Sequence, residues 1–281
     1  MTRQYRRLLS CPAWPWFVLQ TEDLTWNGSF NWTKFKTTIE NWKSTKSSEI
    51  LANPGAPSVC CGFLVSIEES NDLGNLHGLI FNGLDNGGNP IFSDENEDGI
   101  NCVCEADMTT VGNGLPNSFF GLSQQLTYKN FTMDFFIRGA FGHQLFNLPR
   151  LFYESPGRVN EGINAVQTQF FDPNQTEPIR TSSFQVEDAN FINFDFITLS
   201  YDFDFPKIKW IEHFRFYVTL TNPITLTDYS GSTPEVRLKD PGTNDNGSIE
   251  ERPLSYVALG IDRRNTYLPM KGWILGGKFR F

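Results

Sequence analysis

Between Leu24 and Thr33, apolar and polar residues take turns without a slip. Leu24, Trp26, Gly28, Phe30 and Trp32 fall on one side, and Thr25, Asn27, Ser29, Asn31 and Thr33 on the other. Period two is the repeat of a β-strand, whose successive side chains point to opposite faces. The pattern returns over 118–128, where Phe120, Leu122, Leu126 and Tyr128 oppose Gly121, Ser123, Gln125 and Thr127. It continues in 131–147, with Phe131, Met133, Phe135, Ile137, Phe141 and Leu145 against Thr132, Asp134, Arg138 and Gln144. Further runs are Ile197 to Phe205, His213 to Thr221 and Trp273 to Phe281. Strands of soluble proteins cluster near five or six residues, whereas one that crosses a bilayer needs about 9–11. These runs are of the second kind.

Connection lengths sharpen the reading. Short turns lie near 21–23, 129–130 and 205–210, and long connections rich in Gly, Asn, Asp and Pro lie near 38–116, 148–186 and 228–270. Short turns on one side and long loops on the other is the arrangement of an outer-membrane barrel. Tyr128, Tyr201, Phe203 and Phe205 stand beside the short turns, where an interfacial aromatic girdle belongs. Aromatic residues make up 15% of the chain, yet no apolar run approaches the roughly 18 residues of a membrane helix. The expected class is all-β, with seven antiparallel transmembrane strands at 14–20, 24–37, 117–129, 131–147, 187–203, 211–227 and 271–281. On the polar faces, Asp134, Arg138, Arg215 and Tyr217 are the candidates for lining the lumen.

A net charge of −9 leaves no basic excess to meet phosphates, which excludes a nucleic-acid partner. No Walker loop, HExxH, GxSxG or dinucleotide fingerprint occurs, and His77, His143 and His213 stand apart, so no enzyme is expected. No cofactor is required. Asp94 to Glu105, DENEDGINCVCE, has the spacing of a calcium loop, with oxygen ligands expected from Asp94, Asn96, Asp98, Ile100 (through its carbonyl) and Glu105. Its neighbours GLDNGGNPIFS and ADMTTVGNGLPNS supply no flanking helices. The expectation is therefore an external loop that binds calcium or magnesium to fix its shape, not a sensor. Cys60 or Cys61 can bridge Cys102 or Cys104 in an oxidising compartment, with the pairing open.

Several stretches resemble the SusC-like TonB-dependent outer-membrane receptors of Bacteroidetes. GNGLPNSFFGLSQQLTYKNFTMDFFIRGAFGHQLFN follows the acidic loop, FINFDFITLSYDFDFP is similar to a descending strand, and FRFYVTLTNPITLTDYSGSTPEV to its ascending partner. The terminal WILGGKFRF resembles a barrel-insertion signal. Thr233 and Asn193 depart from the Asp and Arg usual at those places. The resemblance spans 14–281 and implies the C-terminal part of a large plugged barrel. Residues 1–13 form an atypical segment with the look of a spurious start.

The resemblance further implies nutrient import across the outer membrane, of oligosaccharide or peptide. The expected partners are outer-membrane lipid, a SusD-like surface lipoprotein, and the TonB system acting through a plug domain. Seven strands do not close a bacterial barrel, so the chain is expected to be a fragment that does not transport alone. The alternative is a soluble extracellular β-protein that binds calcium and carbohydrate through its loops.

Overall fold

The computed structural model describes residues 3–10, 14–40, 48–51, 64–99, 106–154, 164–177, 179–205, 212–235, 260–262 and 268–280, with short pieces at 156, 159, 162, 242–243 and 249–250. Its frame is one antiparallel sheet. The strands are β1 (Arg3–Ser10), β2 (Trp14–Gln20), β3 (Leu24–Glu40), β4 (Ser118–Tyr128), β5 (Phe131–Phe141), β6 (Phe191–Asp204), β7 (His213–Thr227) and β8 (Gly272–Arg280). Both β1 and β2 pair with β3, β2 along Thr25 to Phe30 and β1 along Thr33 to Glu40. They occupy one edge position, and the order then runs β3, β4, β5, β6, β7, β8.

Register explains why alternation survives across the sheet. Trp26, Leu126, Met133, Leu199, Val218 and Leu275 stand side by side in one row, and Asn27, Gln125, Asp134, Thr198 and Thr219 in the next. One face is thus apolar from strand to strand and the other mainly polar, with Ile274 and Phe196 as exceptions. The apolar face stays open: Leu199, Phe131 and Trp273 are 56%, 60% and 69% exposed. Among the described residues no second sheet covers it, as a soluble sandwich would require.

The short turns form a laced rim. Lys129 takes a left-handed φ of 52° between β4 and β5, and its N–H donates to the Asp23 carbonyl of the neighbouring turn at 2.9 Å. Asn130 Nδ2 donates to the Asp202 carbonyl at 2.7 Å. Above this rim the rings of Phe131, Tyr201, Phe203, Phe214 and Phe279 touch in sequence, with centroids 4.5–5.9 Å apart. That is a girdle at the short-turn end, where the alternation placed one.

At the other end the structure departs from the sequence reading. The run 131–147 is not one strand. Gly142 turns the chain with φ 74° and its N–H is held by Asn190 Oδ1, so Gln144–Asn147 enters a separate small sheet. There it pairs with Val186–Asp188 and with Ile261–Asp262. Leu145, which alternation assigned to the lipid face, is instead 2% exposed against Ala189 and Tyr229. The run 187–203 likewise starts its wall strand at Phe191.

The long connections are built structures. Ser48–Leu51, Val65–Glu68, Asn75–Gly78 and Thr109–Asn113 form a four-stranded sheet. A short helix, Leu148–Tyr153, starts at Asn147, whose side chain caps the Arg150 N–H, with Pro149 in the first turn where a missing N–H costs nothing. Phe146, Leu64, Val65, Leu76, Leu148, Leu151 and Ile261 pack into the main buried core. The hydrophobic core therefore sits in this outer layer, while the wall shows its apolar residues to the outside.

Candidate lumen site

The polar face of the wall carries two ionic clusters. The upper one centres on Arg138 of β5, whose Nε donates to both oxygens of Asp195 at 2.7 and 2.8 Å. Its Nη groups donate to Glu235, which descends from the outer layer. Asp195 reaches this position because β6 bulges there: Phe194 and Phe196 pair with consecutive residues of β5, and Asp195 is left out of the ladder. The opposite strand accommodates the bulge at Asn222, with φ 47°, beside Pro223, which has no ladder N–H to lose. Asn193 Nδ2 donates to Asp195 at 2.5 Å, and Thr225 Oγ1 donates to Asn193 Oδ1 at 2.6 Å. Thr233 Oγ1 accepts the Glu235 N–H at 3.2 Å, which shapes the descending segment. Two carboxylates thus face one guanidinium.

The lower cluster lies near the short turns. Arg215 of β7 holds Asp202 of β6 with two hydrogen bonds of 2.7 Å. His213 sits between Asp202 and Asp204, 3.0 Å from each. Asp134 accepts from Gln125 at 2.7 Å and is close enough to act on the Arg215 charge. Tyr217 lies over Gly276 of the neighbouring strand, where a Cβ would run into its ring. The four residues expected from the sequence all fall on the polar face, split between these clusters: Arg138 above, and Asp134, Arg215 and Tyr217 below. Their partners Asp195 and Glu235 escaped the sequence reading, because a bulge and a loop descent leave no periodic trace.

Between Arg138 and the outer layer lies a cavity of about 450 Å³, lined by Phe119, Phe136, Phe191, Leu145, His143 and Glu235 among others. Phe119, Phe136, Phe196 and Ile274 interrupt the polar face. Burial holds the His143 ring below its ordinary pKa, against the pull of the Pro234 carbonyl and of the Asp188 and Glu235 carboxylates.

In the outer layer, Arg150 is 6% exposed and its guanidinium lies between the rings of Phe170 and Phe184, 3.6 and 4.7 Å from their centroids. It donates to Glu154 at 2.7 Å, and to Glu187 and the Phe184 carbonyl at 2.9 Å. Tyr229 donates to Asp262 at 2.7 Å; burial and that carboxylate push its hydroxyl far above the ordinary value.

Of the calcium-loop residues, Asp94 is half-buried and Asn96 and Asp98 are exposed, whereas Ile100 and Glu105 lie outside the described residues, as do the four loop cysteines. Asp94 accepts the N–H groups of Asp98 and Gly99 at 3.2 and 2.8 Å, and Asn96 donates to Asp98 at 3.0 Å. These side chains close a turn on themselves.

Long antiparallel strands, an outward apolar band with a girdle, an ion-paired inner face and folded outer loops define the wall of a β-barrel membrane protein. No protein-family model matches the chain. It is 24% identical over 294 residues to TonB-dependent receptor P3 of Formosa agariphila, covering 94% of this chain and 27% of that protein. It is 27% identical over 158 residues to TonB-dependent receptor P26 of the same organism, covering 51% of this chain. Its fold matches a structure of the RagAB peptide importer in the closed-closed state with a TM-score of 0.71 at 17% identity, covering 94% of this chain and 28% of that one. A structure of the RagAB peptide transporter gives 0.72 at 16% identity. The chain is thus similar to TonB-dependent receptors and shares the fold of the RagAB structures, and it spans about a quarter of the length of the relatives it matches.

Proposed function

We propose that this chain is the C-terminal part of the barrel of a TonB-dependent nutrient importer, supplying one arc of its wall and the outer loops above it. The observation that carries the reading is the pairing of an exposed apolar band with an ion-paired polar face on one sheet in register. Such a sheet is stable with lipid on one side and a wet lumen on the other. An open arc is not a pore, because its edge backbone groups have no partners in lipid. Import therefore needs further wall strands paired to both edges, and the arc alone does not transport. A plug opened by TonB and a capping SusD-like lipoprotein complete the machine, and oligosaccharide or peptide is the cargo.

Fractionation and uptake test this together. After lysis the chain should pellet with outer membranes and resist alkaline extraction. Disrupting its gene should abolish uptake of a labelled peptide or oligosaccharide. Recovery as a soluble monomer would remove the reading.

A further inference from the structure

We propose that the outer end of β3 is a headgroup site, where Lys34 and Lys36 hold the phosphate of a lipid in the outer leaflet. This rests on the importer reading, which puts lipid against the apolar face, and names the place where one lipid is gripped.

Register puts both lysines on that face. Trp32 pairs with Phe120 and Lys34 with Ser118, and these in turn pair with Gly139 and Phe141 of β5. Lys34 and Lys36 therefore continue the outward row of Phe30 and Trp32, which are 50% and 40% exposed. Among the described residues, the outward positions of β3 to β8 carry charge only at Lys34, Lys36 and Glu40. Glu40 ends the strand four residues past Lys36, about 13 Å farther out at the rise of a β-strand.

Three features set the ligand. Lys34 is exposed and has no ion-pair partner among the described residues. Lys36 pairs with Asp72 at 3.3 Å yet stays 71% exposed, so the three groups together keep one positive charge in surplus. Second, β3 changes neighbours beside them: the Phe35 N–H donates to the Asn117 carbonyl at 2.9 Å, and the Leu73 N–H to the Thr37 carbonyl at 3.0 Å. The gap between those neighbours is a recess of about 250 Å³, lined by Lys34, Lys36, Asp72, Asn113 and Asn117 among others. Asn117 is exposed, and its side-chain amide is a donor that no described residue takes up. Ammonium and amide donors around a small recess suit a phosphate. Third, Lys34 stands about 7 Å beyond Trp32 along the strand, and a tryptophan belongs where acyl chains meet headgroups. A free anion gains nothing from Phe30 and Trp32, whereas a lipid with its chains on those rings brings its phosphate to the lysines.

The test uses the full chain refolded in maltoside micelles, its fold checked by heat-shifted gel mobility. Binding of phosphatidylglycerol, of a galactosyl diacylglycerol with the same chains, and of inorganic phosphate is then measured by native mass spectrometry. Phosphatidylglycerol should bind tightest, and less tightly as salt rises. Lys34→Gln should weaken it about fivefold, the worth of one cation near a charged lipid surface. Asp72→Asn, which frees Lys36, should tighten it, a change that damage to the fold would not produce. Lys278→Gln, on the polar face opposite Arg215, should leave it unchanged. Equal affinity for the galactolipid overturns the proposal, as does unchanged binding in Lys34→Gln. Inorganic phosphate binding as tightly as the phospholipid overturns the lipid as its source. A chain that pellets with outer membranes but does not prefer the phospholipid overturns this site alone; a soluble monomer overturns the importer reading beneath it.

Discussion

Replacing Phe146 by alanine should melt the outer layer and leave the wall standing. The ring is 0% exposed and packs with Leu64, Val65, Leu76, Leu148, Leu151 and Ile261. These residues come from distant parts of the chain that share no wall strand. Truncating a fully buried Phe costs about 3–5 kcal/mol in lost transfer energy and cavity. Set against the roughly 5–15 kcal/mol of a whole domain, that is a large share of the outer layer's stability. The Phe146 backbone bond to the Gly260 carbonyl, 2.7 Å, remains but has no packing left to hold it. Pulse proteolysis in urea, with cleavage sites mapped by mass spectrometry, should show cuts within 64–99 and 106–117 at much lower urea than in the parent. The heat-shifted gel mobility that reports an intact β-wall should not change. Parental protease resistance in those segments would refute the claim that the core of this protein lies in its loops, and so would simultaneous loss of the wall signal.

Arg150→Met leaves Glu154 and Glu187 buried without their cation, and should cost the outer layer about 3–5 kcal/mol in the same proteolysis assay. Leu199→Arg puts a charge on the lipid face and should destabilise the wall by about 2–4 kcal/mol in urea titrations in vesicles, while Thr198→Arg, one residue away on the polar face, should be near neutral. His77 and His143 are held below their ordinary pKa near 6.5 by burial, so below that pH the unfolded chain binds protons that the folded layer refuses. Stability of the outer layer should therefore be full above about pH 6.5 and fall as pH drops, and the double variant His77→Gln, His143→Gln should flatten that slope in urea midpoints measured from pH 7.5 to 5.

The wall was legible because membrane strands repeat one simple rule many times. Residues 24–33 announce a strand on their own, and the register then carries Trp26 across to Leu275. What failed was alternation carried past a turn: Leu145 continues the odd-numbered series of β5, yet Gly142 has already redirected the chain. The outer layer was invisible for a related reason. Its core is assembled from strands of two to four residues and one six-residue helix, segments too short to show a period, and it gathers residues as distant as Leu64 and Ile261. At the candidate site, Arg138 and Arg215 were legible as charges on a polar face. Asp195 was not, because the bulge that turns it inward breaks the alternation by which it would be recognised.

Site-directed spin labelling along β6 tests the central claim most directly. Nitroxides placed one at a time at 196 through 201, with the chain in lipid vesicles, should alternate. Positions 197, 199 and 201 should collide with oxygen dissolved in the bilayer, and 196, 198 and 200 with a water-soluble relaxant, because the first set shares a face with Leu199 and the second with Thr198. Equal access to the water-soluble relaxant at both sets would contradict the account, since it would mean that no lipid covers the apolar face.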